Sequence, residues 1–593
     1  MKKRVADIVV STLIELGITE CFSVVGGGAM HLNNAFEIND NMHVTFCHHE
    51  QSCSFAAEGY AKHSGHPAVV SVTSGPGSVN ALNGVYSAWV DSTPMIVISG
   101  HPRSDTTVES CGLNLRCRGV QEYNIIPSVK GMTKYAKMIS DPSTVKAELL
   151  KAYQIAMDGR RGPVWLSIPL DIQATLIEEE SICTYKMEEY NSQYTNSPLI
   201  SRMFEKIKTA KRPCILTGSG IRYANAMSLF KEFIQKVQIP VVGGALLSDI
   251  LPEGFQLFYG LSGNIGPRAG NFILQNSDLI IVLGNSLSNR QTGFNVERFA
   301  PNAYFIMVDA EKDEPLKPGL HIDMPLQFEL KDFFSKALEF LGKESIAASS
   351  EWKEYCQKTY RLLQNYDEPI GEDTKRIPAK LFWKKFREKL PENATIALGN
   401  SNCVIGIFQY GVKKEGQRVI TNYNAGSMGV DLPEAIGVAI SSGEDVYCVT
   451  GDGSIMMNLQ ELETIKYNHL PVKIVIFSND GYGAIRQTCK NYFDGTYTGC
   501  DPSSGIDFPQ FKKIADAFDF KYFHCKQCNE LDKKIEDFIH TDGLVILEID
   551  QMIDDPVIPR MMSKMDENGH FTTPDLTDMH PYIEKELLQE LSL

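Results

Sequence analysis

The chain of 593 residues carries 57 Lys and Arg against 73 Asp and Glu, a net charge of -16, and is 43% hydrophobic. Such a length provides for about three or four domains with cores of their own, and the acidic balance argues against nucleic acid or an anionic membrane surface as partner. No apolar run of about 20 residues is present, no signal peptide is expected after Met1-Lys2-Lys3-Arg4, and the 14 cysteines follow no framework of spacings, which suits reduced thiols in the cytoplasm.

The first unit, residues 1–185, alternates strands and helices. Val25-Gly26-Gly27-Gly28-Ala29 comes first, then a strand Met42-His43-Val44-Thr45 leading to Phe46-Cys47-His48-His49-Glu50-Gln51. A helix of small residues around Ala56 to Ala61 follows, with a strand Ala68 to Thr73 after it. Ser74-Gly75-Pro76-Gly77-Ser78-Val79-Asn80 then reads as a glycine-rich turn into a helix from Ala81 to Trp89. Taken alone, Glu50 reads as a surface residue at a helix start, and His48 and His49 as structural. Gly162 to Asp171 is the closing strand.

A polar link at Tyr190–Pro198 leads to a second unit, 190–350, whose short apolar strands Pro213 to Gly220, Ile239 to Val242 and Ser277 to Gly284 predict another parallel sheet. The charged stretch from Glu351 to Lys375 reads as a linker. In the third unit, 370–593, Glu444 to Thr450 predicts a strand, Asn458 to Ile465 a helix and Val472 to Phe477 a second strand. Gly451-Asp452-Gly453-Ser454 follows the first of these strands, and Asn479 and Gly481 follow the second. In a βαβ unit the ligand site lies at the carboxyl ends of the strands. A carboxylate and an amide oxygen converging there suit a hard cation such as Mg²⁺, although Gly-Asp-Gly also occurs in ordinary turns. Cys525-Lys526-Gln527-Cys528 lacks the second pair that a zinc site needs and reads as a loop after a strand.

The Gly-Asp-Gly to Asn arrangement resembles the diphosphate-binding motif of thiamine diphosphate (ThDP) enzymes. The blocks around Val25 to Ala29, Glu50 and Ser74 to Asn80 are similar to the acetohydroxyacid synthase branch of that family. The resemblance implies three doubly wound parallel-sheet α/β domains, for the pyrimidine, the centre and the diphosphate. It implies that Asp452, Asn479 and the Gly481 carbonyl hold Mg²⁺, with Gly451, Gly453, Ser454, Tyr482 and Gly483 around the diphosphate. It places Gly27, Gly28, Thr73, Pro76 and Asn80 on the cofactor, and Glu50 on the aminopyrimidine ring, where a carboxyl in an apolar pocket beside Phe46, Phe55 and Ala56 would shift the tautomer. Ala425-Gly426-Ser427-Met428-Gly429 looks like the segment that bends the cofactor. Gly426 would offer its carbonyl and Met428 would prop the thiazolium, although core filling is the usual role of Met. Asn400, Ser401 and Asn402 stand where the synthases carry Gln and His, and can still donate hydrogen bonds.

The family frame implies decarboxylation of pyruvate or a similar 2-oxo acid and transfer of the acyl unit to a carbonyl acceptor. Cys111 to Leu115 lacks the histidine pair of the pyruvate decarboxylases, whereas Gln121 and Lys134 match blocks of the synthases. Gln121 would hold substrate and Lys134 would face a substrate channel or flavin, or both are solvated surface groups. Val120 in place of Phe suggests an altered acceptor pocket. FAD in the middle domain would pair its diphosphate with Arg290, although glycine-rich turns also occur in nucleotide-free α/β domains. The resemblance implies a homodimer or homotetramer, because Glu50 and Asp452 come from different subunits in the family. A simple 2-oxo acid decarboxylase and a catalytically idle partner subunit are the alternatives.

Overall fold

The computed structural model describes residues 1–188, 197–245, 247–367, 375–565 and 571–593. Runs such as Leu279-Ile280-Ile281-Val282-Leu283 are buried along their whole length. A strand apolar on both faces must be covered by helices on both sides, which is the setting of parallel sheets. Three parallel six-stranded sheets result.

The first contains β1 (Glu20–Ser23), β2 (His43–Phe46), β3 (Val69–Val72), β4 (Met95–His101), β5 (Tyr135–Met138) and β6 (Pro163–Pro169), in the order β2-β1-β3-β4-β6-β5. The middle sheet, β7 (Pro213–Thr217), β8 (Val241–Gly243), β9 (Phe258–Leu261), β10 (Leu279–Leu283), β11 (Tyr304–Asp309) and β12 (Met324–Gln327), runs β9-β8-β7-β10-β11-β12. That is the doubly wound order of dinucleotide-binding sheets. The third, β13 (Thr395–Leu398), β14 (Arg418–Thr421), β15 (Val446–Gly451), β16 (Val472–Ser478), β17 (Lys521–Cys525) and β18 (Val545–Asp550), runs β14-β13-β15-β16-β18-β17 and so repeats the order of the first. The α/β class with three doubly wound parallel sheets is the expected one.

The helices used below are α1 (Glu50–Ser64), α2 (Leu82–Val90), α3 (Ser350–Leu363), α4 (Asp431–Ser442), α5 (Glu461–Tyr467) and α6 (Gly483–Tyr492). Helix α1 of the first unit crosses α4 of the third with their backbones in contact. A Cβ on Gly59 would lie 2.3 Å from the Glu434 carbonyl oxygen, and one on Gly437 would lie 1.9 Å from that of Ala56. Only glycine permits this approach.

Three local expectations need correction. Over Glu351 to Leu363 the charged stretch is helix rather than linker, and its residues 368–374 lie outside the described residues. Trp352, Cys356, Thr359 and Leu363 recur at helical spacing and bury one face of α3, with Trp352 and Cys356 in the core of the middle unit. In the third unit the helix starts at Glu461 rather than Asn458, because the Asn458 side chain is taken by the Gly429 carbonyl (2.6 Å) and by Ser52 (3.2 Å). Pro76–Asn80 is helical and precedes α2, proline being suited to a first turn. Of the polar link, residues 190–196 lie outside the described residues, and Ser197 already opens the helix Ser197–Thr209.

The crossing encloses a charge cluster. The Lys62 ammonium lies 2.7 Å from Glu58, 2.9 Å from Asp91 and 3.3 Å from Glu434, all buried, and donates to the Thr421 carbonyl. One ammonium cannot neutralise three carboxylates, and one oxygen each of Glu58 and Glu434 has no partner among the described residues. Burial therefore pushes Glu434 up to about 8 and raises Glu58 as well. The folded state keeps a proton that the unfolded chain releases near 4.5, so stability is fully present below that pH and is lost as pH rises to about 8. The slope is about 1.4 kcal/mol per pH unit for each retained proton. Thermal unfolding of Glu434→Gln followed against pH should show a shallower decline over this window than the parent, and an unchanged slope would remove Glu434 from the account.

Candidate functional site

The parallel register sets Gly451 beside Phe477 and Ser478 beside Asp550. The next residues off the ends of β15, β16 and β18 are therefore Asp452, Asn479 and Gln551, brought together by pairing alone. Asp452 is buried and accepts from the backbone N–H groups of Gly453 (2.8 Å), Asn479 (2.9 Å) and Gly481 (3.3 Å). Burial outweighs these bonds and pushes its carboxyl up to about 6. Among the described residues this carboxylate has no positive partner, which a divalent cation would supply. A Cβ on Gly453 would enter the Tyr482 ring at 2.2 Å, and one on Gly481, at φ +152°, would meet the Cys500 carbonyl at 2.0 Å. Both glycines are required by the packing around the motif. Gly483 opens α6 against the Asn479 amide.

The segment bearing Met428 is fastened to this end. Asp431, fully buried, accepts from Thr450 Oγ1 (2.7 Å) and Ser454 Oγ (2.5 Å), and Ser454 Oγ accepts from the Gly429 N–H (2.9 Å). Gly426 has φ +68°, and Met428 beyond it is half-buried. Asn400 donates to Asn422 Oδ1 and the Ser427 carbonyl, while its own Oδ1 is buried without a partner among the described residues. Ser401 is exposed at φ +77°. The Asn402 side chain lies outside the described residues.

A second group gathers in the first unit. Glu50 is the first residue of α1, capped by His49, and its Oε2 accepts from Asn80 at 3.0 Å. Thr73 Oγ1 accepts from the Gly28 N–H at 3.1 Å, Pro76 opens the short helix after it, and a Cβ on Gly77 would come within 3.1 Å of Glu50 Oε1. Gln121, at φ +55°, lays its carbonyl where a Gly75 Cβ would stand 2.5 Å away. Gly27 faces open space. The expected apolar pocket around Glu50 is only half built within one chain, since Phe55 and Ala56 are buried but Phe46 is 42% exposed.

The two groups are joined by contacts that the sequence did not announce. The His48 N–H donates to Glu461 of α5 (3.2 Å), Ser52 bonds Asn458, and Ser427 donates to Asn83 of α2 (3.0 Å). Asp431, Asn458 and Glu461 are thus structural members of the site. Their only sequence signal was a polar residue inside an otherwise apolar helix or at its entrance.

A cleft of about 1460 Å³, open to solvent, lies beyond the carboxyl ends of β7, β10 and β11. Gly218, Gly284 and Asp309 border it with Arg160 and Arg161 from the first unit. Burial pushes Asp309 up to about 6 and Glu329 to about 7, so both can accept and donate near neutrality. Arg290 is turned onto the Tyr423 ring, 4.3 Å from its centroid, and the cleft takes Gln291 from that segment instead. Lys134 is spent on the Asp158 carbonyl at 2.5 Å, and burial lowers its affinity for a proton.

The thiamine pyrophosphate enzyme models match three parts of the chain, the N-terminal TPP binding domain at 3–122, the central domain at 200–336 and the C-terminal TPP binding domain at 399–549. The chain belongs to the thiamine pyrophosphate enzyme family. It is 29% identical over 87% of its length to the acetolactate synthase large subunit of Lactococcus lactis, of which 87% is covered. It is 28% identical over 92% of its length to the Escherichia coli acetolactate synthase isozyme 2 large subunit, of which 95% is covered, and 27% identical over 95% to the chloroplastic acetolactate synthase 1 of Nicotiana tabacum, of which 84% is covered. Among the described residues no helix is long and apolar enough to cross a membrane.

The unpartnered Asn400 Oδ1, the uncompensated Asp452 and the glycine-lined turn fit a diphosphate and its cation. Asp452→Ala should abolish cation-dependent ThDP binding in calorimetric titration while leaving the far-UV circular dichroism unchanged. Unaltered affinity would separate Asp452 from the metal.

Proposed function

We propose that this thiamine pyrophosphate enzyme is a Mg²⁺-dependent carboligase. It decarboxylates pyruvate or a similar 2-oxo acid and passes the acyl unit to a carbonyl acceptor. The observation that carries the reading is the pairing of a cation-seeking carboxylate, Asp452, with a half-exposed Glu50 bonded to Asn80. The named relatives, all acetolactate synthases, support it. When bound, ThDP would supply the carbanion chemistry for decarboxylation and acyl transfer. The chain's own residues bind, orient and hold protons. Asp452, the Asn479 amide and the Gly481 carbonyl hold the cation and through it the diphosphate. Glu50 holds a proton against the aminopyrimidine, Gly426 accepts from its amino group, and Met428 sets the bend. Gln121, whose carbonyl lies against the Gly75 turn, would hold substrate by its amide.

FAD is the occupant proposed for the middle cleft, with Arg160 and Arg161 rather than Arg290 as its guanidiniums. The protein is proposed to act as a homodimer or homotetramer in the cytoplasm. Val25, Met30, Phe46 and Val79 are 60%, 50%, 42% and 44% exposed, and a second copy would complete the apolar pocket around the Glu50 carboxyl.

Two measurements test the reading. A proton NMR time course with ThDP, Mg²⁺ and pyruvate should show acetolactate or acetoin, whereas acetaldehyde alone would favour a decarboxylase. Glu50→Gln should lower turnover at least about 100-fold, within the range of a positioned acid–base group, with ThDP still bound through its diphosphate; near-normal turnover would refute the role of Glu50.

A further inference from the structure

The diphosphate end contains a guanidinium that neither the cation nor the chemistry above has used. Arg486, on the first turn of α6, is 2% exposed. Its Nη2 donates to the Asn479 carbonyl (2.8 Å), to Asn479 Oδ1 (3.1 Å) and to the Ile553 carbonyl (2.9 Å), and its Nη1 donates to the Asp480 carbonyl (3.3 Å). Among the described residues it forms no ion pair with a carboxylate, and its Nε has no partner. On the other edge of the same amide, Asn479 Nδ2 donates to Gln551 Oε1 (3.1 Å), and Gln551 in turn donates to Asp555 (2.8 Å).

We infer that Arg486 is a positioning residue for the cation and diphosphate. It fixes which edge of the Asn479 amide is oxygen, holds the turn Asn479–Gly481 in the conformation that Asp452 reads, and supplies the buried positive charge that a diphosphate leaves unbalanced after one divalent cation. The argument rests on the proposed diphosphate reading. Two features support it beyond packing. A guanidinium buried without a carboxylate is costly unless an anion arrives, and every bond it makes to this turn runs to Asn479 or Asp480, the residues between the strand end and Gly481. An amide oxygen has two acceptor directions, so the bond from Arg486 leaves one for the cation. The planar fork of arginine can serve several carbonyls together in a way that the ammonium of lysine cannot.

The test is the Mg²⁺ midpoint for ThDP binding by isothermal titration calorimetry, in the parent, in Arg486→Lys and in Arg268→Lys. Arg268 is an equally buried guanidinium that pairs with Asp367 far from the motif, and it calibrates the effect of merely disturbing a buried arginine. Arg486→Lys should raise the Mg²⁺ midpoint about 10- to 100-fold, the usual effect of losing a partner of a metal ligand, and should weaken the preference for Mg²⁺ over the larger Ca²⁺. Arg268→Lys should move neither. If Arg486→Lys does not fold, Gln551→Met removes the acceptor on the opposite edge of the amide and should shift the same midpoint. A midpoint within twofold of the parent in the folded variant, or a shift equal to that of Arg268→Lys, would overturn the assignment of Arg486. Absence of any cation-dependent ThDP binding in the parent would overturn instead the reading beneath it.

Discussion

The crossing of α1 and α4 is the constraint on which the rest of the site depends. Gly59 and Gly437 bring the two backbones into contact, and Lys62 binds across the crossing to acids on both helices. Glu50 stands at the start of α1, and the Met428 segment runs directly into α4. The helix axes therefore fix where Glu50 and the Met428 segment stand relative to each other within one chain. A crossing loosened by one methyl group would shift both helix starts, because interiors packed to this density transmit displacement rather than absorb it.

The same economy governs the strand ends. Parallel register alone delivers Asp452, Asn479 and Gln551 side by side, and the turns that follow are held by backbone N–H groups bonded to Asp452. The carboxylate thus organises its own turn before any ligand is present, and that use of its oxygens leaves its charge uncompensated. Preorganisation of this kind lowers the conformational cost of binding. It also explains why glycine recurs at 453 and 481, where side chains would strike Tyr482 and the Cys500 carbonyl.

Much of this was legible in the sequence, for reasons that can be stated residue by residue. Strands apolar on both faces have no alternative to a covered parallel sheet, and Gly-Asp-Gly between such a strand and a helix has few other uses. What could not be read was anything set by contacts distant in the chain. Asp431 looks like an ordinary residue of a helix first turn until Thr450 and Ser454 are seen on it. Arg290 stacks on Tyr423 of the third unit, a contact that no pattern within the middle unit announces. The charged stretch of α3 read as a linker because its four buried positions are outnumbered by polar ones, although their spacing is helical. The exposure of Phe46 beside buried Phe55 and Ala56 is likewise set by the fold and not by any local pattern.

The middle sheet differs in strand order from its two neighbours, yet it is not an isolated module. Lys62 and Asp91 border the middle cleft as well as the crossing, and Asp91 also accepts from Asn424 in the segment that leads to Met428. A ligand lying in that cleft would touch the side chains that hold α1 to α4 and would meet the same balance of one ammonium against several acids. Its contribution can therefore be made without any chemistry of its own, by adding contacts to the cluster that sets the geometry of the catalytic helices. The binding free energy of such a ligand would then be expressed as order at the neighbouring site.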